Sequence, residues 1–403
     1  MTRQVFEGLK VADFTWAVVG PMMSRYLSNH GATVVKLESA TRLDVVRIAP
    51  PFKEAHTHRN QSGYFAMYSS GKLGLTVNMS QPKGREVARR LVMWSDVVLA
   101  SFAPGVMARW GLDYESVRRD RPDIIMISTT NLGLTGPHAS SVGFGTQLVS
   151  LAGFSHLTGW PDSEPNQPYG AYTDVVAPRF GASAIIAALD YRRRTGQGRH
   201  IDLSQLEAGV HFLAPLLVDY FATGREALRS GNRDPVAAPH GAFPCRGEDR
   251  WLTIACSTQE EWHSLCRAMG YPGLADDPRF TTLEARKQNE GELGEAVARW
   301  SQSQEAEEAM CLLQQAGVPA GVVQDGRDIC NDLQLAHRGY WVDIEHPEMG
   351  RHRYPAPAFT LSHTPAQLRP SPCLGEHNEL VCRELLGLSE EEYIQLLVEG
   401  ILE

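Results

Sequence analysis

The first third of the chain alternates short apolar runs with amphipathic stretches. "LKVADFT" (9–15), "ATVVKLE" (32–38), "DVVLASF" (96–102) and "IIMIST" (124–129) read as buried strands. Between them lie helical stretches. "GPMMSRYLSNHG" has Pro21 in a first turn and Gly31 as a stop, "GREVARRLVMWS" carries an apolar stripe, and "ESVRRDRPD" is a shorter helix. Such alternation of short, mainly apolar strands with helices predicts a mostly parallel sheet with helices on both faces. The first strand is not followed by GxGxxG, and GxxxxGK[ST] is absent, so a nicotinamide, flavin or P-loop nucleotide site has no fingerprint in the chain.

The texture changes after 225–240, "REALRSGNRDPVAAPH", a polar stretch with scattered Gly and Pro that reads as a linker. "GAFPCRGEDRWLTIAC" then looks like a hairpin, with helices at 258–269 and 290–316, and this segment closes near "AGVPAGVV" (316–323). The tail predicts two amphipathic helices, with Ser389 and Glu392 at capping-box spacing. The expected organisation is a Rossmann-like α/β large domain from 1–224 and 331–403, with a smaller α+β domain from 225–330.

Composition narrows the function. A net charge of −9, with bases dispersed along the chain, disfavours a nucleic-acid surface, so a local cationic group would serve a small anion. The first residues lack a signal-peptide pattern and no run approaches a membrane span, so a cytoplasmic protein is expected, with no membrane partner. Seven cysteines without a CxxC pair read as reduced thiols. The 14 histidines form no HExxH spacing, so no metal is expected.

One acid stands out. Asp174 in "AYTDVVAPRFGASAIIAALDYRRRTGQG" precedes a stretch rich in small residues that would let a helix pack closely. Pro178 favours a helix start nearby, where a capping role would keep the carboxylate ionised. A fixed anionic carboxylate also suits a carboxylate nucleophile, and position alone leaves both readings open.

Eight segments in order carry a resemblance: "VADFTWAVVGP" with "GATVVKLES", "SSGKLGLTVNM", "FAPGVMARWGLDY", "GLTGPHA", the Asp174 segment with "RRRTGQGRHIDLSQLEA", "DDPRF", "AGVPAGVV" and "LGEHNELVCRELLGLS". Together they make the chain similar to the class III (formyl-CoA transferase-like) coenzyme A transferases. Within that family, the wording "APHG…PCRGEDRW" resembles the branch that includes the benzylsuccinate CoA-transferases. The resemblance implies an interlocked dimer and transfer of CoA from an acyl-CoA to a free carboxylic acid. It also implies that Asp174 is the nucleophile, passing through an aspartyl anhydride and an aspartyl-CoA thioester. The CoA thioester is then a co-substrate, and no permanently bound cofactor is implied.

By the same resemblance Lys72, Arg109, Ser101, Phe102 and Val18 fall at CoA-contacting positions. Arg42 substitutes for an arginine the family often has where this chain has Ser39. Trp16, Val19 and Phe144 suggest an apolar lining for the acyl group, and His240 with Gly241 falls at the family's flap over the aspartate. Succinyl-CoA is the expected donor, and an aromatic or branched dicarboxylic acid such as benzylsuccinate the expected acceptor. Two alternatives stay open. A 2-methylacyl-CoA racemase would need a second proton-transfer group where Phe144 stands, with His138 and His156 nearby. The chain could also be a non-catalytic member of a pair, so the expected partner is an identical chain or a paralogous subunit.

Overall fold

The computed structural model describes residues 3–403. They fall into two compact units: one holds the chain up to Phe154, Gln167–Arg225 and Gln334–Glu403, the other Ser155–Asn166 and Glu226–Leu333.

The first unit is built on β1 (Lys10–Phe14), α1 (Val19–Asn29), β2 (Thr33–Glu38), α2 (Gly63–Ser69), β3 (Leu73–Thr76), α3 (Pro82–Trp94) and β4 (Val97–Ala100). Short helices α4 (Val106–Arg109) and α5 (Tyr114–Val117) lead to β5 (Ile125–Thr130), followed by α6 (Gly145–Leu151); α7 (Phe154–Leu157) falls where the chain passes to the second unit. The long α8 (Tyr172–Thr195) then leads into β6 (Arg199–Ser204), α9 (Gln205–Phe212) and α10 (Ala214–Thr223). The six strands form one sheet in the order β3-β2-β1-β4-β5-β6, and each neighbouring pair is parallel. This is the doubly wound order, which reverses direction between β1 and β4 and leaves a crevice beyond their carboxyl ends.

Successive side chains on a strand point to opposite sides, so the inner strands bury residues on both faces of the sheet. Ala12, Phe14, Val98, Ala100 and Met126 pack with Val87 and Leu91 of α3. Val11, Val34, Val97, Leu99, Ile125 and Ile127 pack with Met23 and Leu27 of α1 and with Val176 and Ile185 of α8. Close approach of α8 depends on Gly181, where a Cβ would collide with the Met23 sulfur. The helix ends on Gly196 at φ +73°, and three arginines in its last turn face the negative end of the dipole.

The second unit contains β7 (His240–Pro244), β8 (Trp251–Ala255), α11 (Gln259–Ala268), α12 (Leu283–Gln288), α13 (Glu290–Ser301), α14 (Ala306–Gln315), β9 (Ala320–Val322) and α15 (Gly326–Asn331). Its three strands are antiparallel, in the order β7-β8-β9, over a core that includes Trp262, Leu265, Phe280, Leu293 and Val297. The chain continues through α16 (Leu333–His337) into the antiparallel hairpin of β10 (Trp341–His346) and β11 (Gly350–Pro355). In the tail, a π-helical segment, Leu380–Leu385, precedes α17 (Glu390–Val398), with Ser389 and Glu392 forming the expected capping box. Leu396, Ile401 and Leu402 join the α3 face of the sheet. Among the described residues, no helix is long and apolar enough to cross a membrane.

Candidate active site

A cleft of about 420 Å³ opens at the switch point of the sheet. Its walls come from the segment after β1 (Trp16 to Val19), the segment after β4 (Ser101 to Pro104) and the end of β5 with the loop beyond it. Parallel strands end together at one sheet edge, so residues far apart in sequence meet here. The turn after β1 is held from behind. Trp16 N donates to Ser101 Oγ (2.9 Å), and Ala17 N donates to Asp44 Oδ1 (2.9 Å). Ala17 has φ +60°, a left-handed conformation that a non-glycine residue keeps only when its surroundings impose it. Asp44 is fully buried and also accepts from Lys36 Nζ at 3.0 Å.

Asp174 enters the same cleft from the first turn of α8. Its position differs from the sequence expectation. The helix begins at Tyr172 with Ala171 at the cap, so Asp174 is already inside it and caps nothing. Pro178 is an interior residue rather than a helix start. A proline has no N–H, and the carbonyl four residues back is that of Asp174, so Pro178 withdraws the helical hydrogen bond at the acid itself. The expected electrostatics also change. Burial pushes the Asp174 carboxyl up to about 6, against the opposing pull of a hydrogen bond from Gln205.

The surroundings of the acid are specific. Gln205 Nε2 donates to Asp174 Oδ1 and, at 3.1 Å, to Thr173 Oγ1. Thr173 Oγ1 in turn donates to the Gly145 carbonyl at 3.4 Å. A Cβ at position 145 would collide with the Asp174 carboxylate, so only glycine lets the acid lie against this backbone. Asp174 Oδ2 makes no hydrogen bond among the described residues. One carboxylate oxygen is thus held and the other is not engaged by a hydrogen bond among the described residues.

Of the residues singled out in the sequence, Trp16, Val18, Val19, Arg42, Ser101, Phe102, Phe144 and Asp174 all line this cleft. Phe102 meets Trp16 edge-on at 6.0 Å, and the Arg42 guanidinium lies 5.8 Å from the Trp16 ring centre. Phe144 is 64% exposed at the start of α6, so it forms an open rim rather than a closed wall. Arg109 is exposed on α4 and is not among the cleft-lining residues. His240 and Gly241 belong to the second unit, where His240 Nδ1 pairs with the Asn232 carbonyl at 2.6 Å.

Lys72 requires a correction. It is 2% exposed, and Nζ donates to Asp13 Oδ2 (2.9 Å) and to the Pro21 carbonyl (3.0 Å). Asp13 is itself fully buried on β1 and needs a compensating cation, so the ammonium is committed inside the fold and does not face a phosphate. Sequence reading missed Gln205, Thr173 and Gly145. The one available signal was Ser204 with Glu207 at capping-box spacing, which starts a helix and puts Gln205 in its first turn.

A half-buried carboxylate at the switch point of a doubly wound sheet, in a cleft that Trp16, Phe102 and Arg42 also line, is an arrangement suited to a group-transfer enzyme. The matching family model is CoA-transferase family III, over residues 6–378, and the chain belongs to that family. It is 29% identical over 399 residues to the succinyl-CoA–D-citramalate CoA-transferase of Chloroflexus aurantiacus, covering 98% of both chains. It is 32% identical to the succinate–glutarate CoA-transferase of Agrobacterium fabrum, covering 94% of this chain and 95% of that one. A crystal structure of a CaiB/BaiF family protein from Brucella suis superimposes with a TM-score of 0.88 at 31% identity, covering 95% of this chain and 100% of the other. The protein is a class III CoA-transferase.

Proposed function

We propose that the protein moves CoA from succinyl-CoA to a second dicarboxylic acid, with Asp174 as the nucleophile. Asp174 Oδ2 attacks the thioester carbonyl, and the C–S bond breaks to give a mixed anhydride and CoA thiolate. The thiolate adds to Cγ of Asp174, expelling the donor acid as its carboxylate and leaving an aspartyl-CoA thioester. The acceptor carboxylate then attacks Cγ, forming a second anhydride and freeing the thiolate. Attack of the thiolate on the acceptor carbonyl releases the new acyl-CoA and restores the Asp174 carboxylate. No net proton transfer is needed, and an anhydride sheltered from water keeps the acyl group activated.

The observation that carries this reading is the half-buried Asp174 lining the cleft, with one oxygen hydrogen-bonded by Gln205 and the other without a hydrogen bond among the described residues. Trp16, Val18, Ser101, Phe102 and Arg42 would take CoA along the remainder of the cleft, and binding of that long tail offsets the cost of forming the anhydride. Lys72 has no part in this, and Arg109 has none within this cleft. The diacids named for the relatives, citramalate and glutarate, favour an aliphatic acceptor of that size. Benzylsuccinate is a bulkier member of the same class, compatible with the open rim at Phe144. A two-base racemase is disfavoured, because Asp174 and Arg42 are the only ionisable groups among the described residues lining the cleft.

We also propose that a second copy of the chain covers α10, a helix of apolar sequence with no buried residue, on which Leu216, Leu217, Val218, Tyr220 and Phe221 are all exposed. The test of function is an assay of succinyl-CoA against glutarate, citramalate and benzylsuccinate, with Asp174→Ala alongside. Transfer to at least one of these acids, lost by more than about 10⁴-fold in the variant, is expected. Exchange of the α-hydrogen of a 2-methylacyl-CoA without any transfer would overturn the reading in favour of the racemase. Transfer that appears only after a paralogous chain is added would point to the non-catalytic member of a pair.

A further inference from the structure

We propose that Gln205 is a catalytic residue: it holds Oδ1 of Asp174 as the non-attacking oxygen, and then donates to that same atom when it becomes an oxyanion. The inference rests on Asp174 acting as the nucleophile and adds to it the stabilisation of charge on the enzyme's own acyl carbon.

The argument begins with the chain direction. β6 ends at Ser204, whose Oγ accepts from Glu207 N at 3.3 Å, and this cap fixes where α9 begins. Gln205 is therefore the first residue of the helix, 5% exposed, with its side chain directed at the start of α8. A primary amide has two N–H donors on one nitrogen. Both are used: one reaches Thr173 Oγ1, the other Asp174 Oδ1. Thr173 passes its own proton on to the Gly145 carbonyl, so the hydroxyl must accept from Gln205. The chain of donors runs in one direction, and the amide cannot turn its carbonyl toward the carboxylate without breaking it.

The consequence follows from the bond changes. When the CoA thiolate adds to Cγ of the anhydride, a C–S bond forms and the carbonyl pair moves onto Oδ1. Collapse restores the Cγ–Oδ1 double bond, breaks the Cγ–Oδ2 bond and releases the donor acid carrying Oδ2. The same charge appears on Oδ1 when the acceptor carboxylate attacks the aspartyl-CoA thioester. In both additions the donor is already in place, so it stabilises the transition state without reorganising at the moment of reaction. In the resting enzyme the same bond favours the ionised acid, opposing the effect of burial. Gln205 thus stabilises the attacking carboxylate and, later, the oxyanion at the same carbon.

The test compares Gln205→Leu and the isosteric Gln205→Glu with the unaltered protein, using succinyl-CoA and glutarate, and follows the Asp174 carboxyl by carbon-13 NMR. Both variants are expected to lose about 10²–10³-fold in kcat, with KM for succinyl-CoA changed far less. The Asp174 carboxyl is expected to titrate above its position in the unaltered protein. A loss below tenfold in kcat in a folded variant, or an unmoved Asp174 titration, would overturn the inference. If Gln205→Leu fails to fold, Gln205→Glu keeps the shape while replacing the donor by an acceptor, and it decides alone. Dispensable Gln205 with an essential Asp174 would sink only this inference; a dispensable Asp174 would sink the proposed function as well.

Discussion

At the scale of single residues, Asp174 is shaped by two opposed influences. Burial in the cleft lifts its carboxyl to about 6 from an ordinary value of 3.8, while Gln205 pulls it down. Because attack needs the anion, kcat/KM is expected to rise about tenfold per pH unit below about 6 and to level off above about 7, read from a pH–rate profile. Stability runs the other way. Between about 3.8 and 6 the folded protein binds a proton that the unfolded chain has lost, so stability falls as pH rises through that window. At pH 8 the buried anion costs on the order of 2–3 kcal/mol, and Asp174→Asn should unfold at a higher temperature than the parent, a difference that disappears below about pH 4. Equal melting temperatures at pH 8 would show that the acid is better solvated than the structure indicates. The candidacy of Asp174 was legible from its place among ordered motifs, and the structure puts it in the cleft. Its raised carboxyl was not, because the burial comes from segments such as the one at Gly145 that approach only in three dimensions.

Elements decide which charged groups reach the cleft and which stay inside the fold. Short, largely apolar runs such as those of β1 and β4 announce buried parallel strands, and the sequence pattern found them. β3 is only four residues long, and β6 reads "RHIDLS" with one side exposed, so neither showed a buried-strand pattern. Pairing Lys72 with Asp13 joins β1 to the start of β3 across 59 positions, a contact that no local pattern reports. Lys72→Met should therefore act on folding: it leaves the Asp13 carboxylate buried without its partner and should cost roughly 3–5 kcal/mol in denaturant unfolding. A Lys72→Met protein of unchanged stability but with a raised KM for the acyl-CoA would instead make Lys72 a phosphate contact. The start of α8 shows a different limit. Pro178 suggested a helix beginning nearby, whereas the helix starts at Tyr172 and tolerates the proline inside, with the lost hydrogen bond falling on the carbonyl of Asp174.

For the whole molecule, the doubly wound sheet sets the site before any side chain is considered. Strand order 3-2-1-4-5-6 opens the crevice between β1 and β4, and the cleft with Asp174 lies there. If a second copy covers the exposed apolar face of α10, as proposed, sedimentation should show a dimer, and Leu217→Glu with Phe221→Glu should weaken it. A monomer at micromolar concentration with full activity would contradict the proposed pairing. The central claim, that Asp174 carries the transferred group covalently, is tested most directly by intact-protein and peptide mass spectrometry after incubation with succinyl-CoA alone. The expected result is CoA attached to the peptide containing Asp174, converted by hydroxylamine to an aspartyl hydroxamate and absent from Asp174→Ala. Transfer to an acceptor acid with no adduct at Asp174, or with undiminished activity in Asp174→Ala, would contradict it.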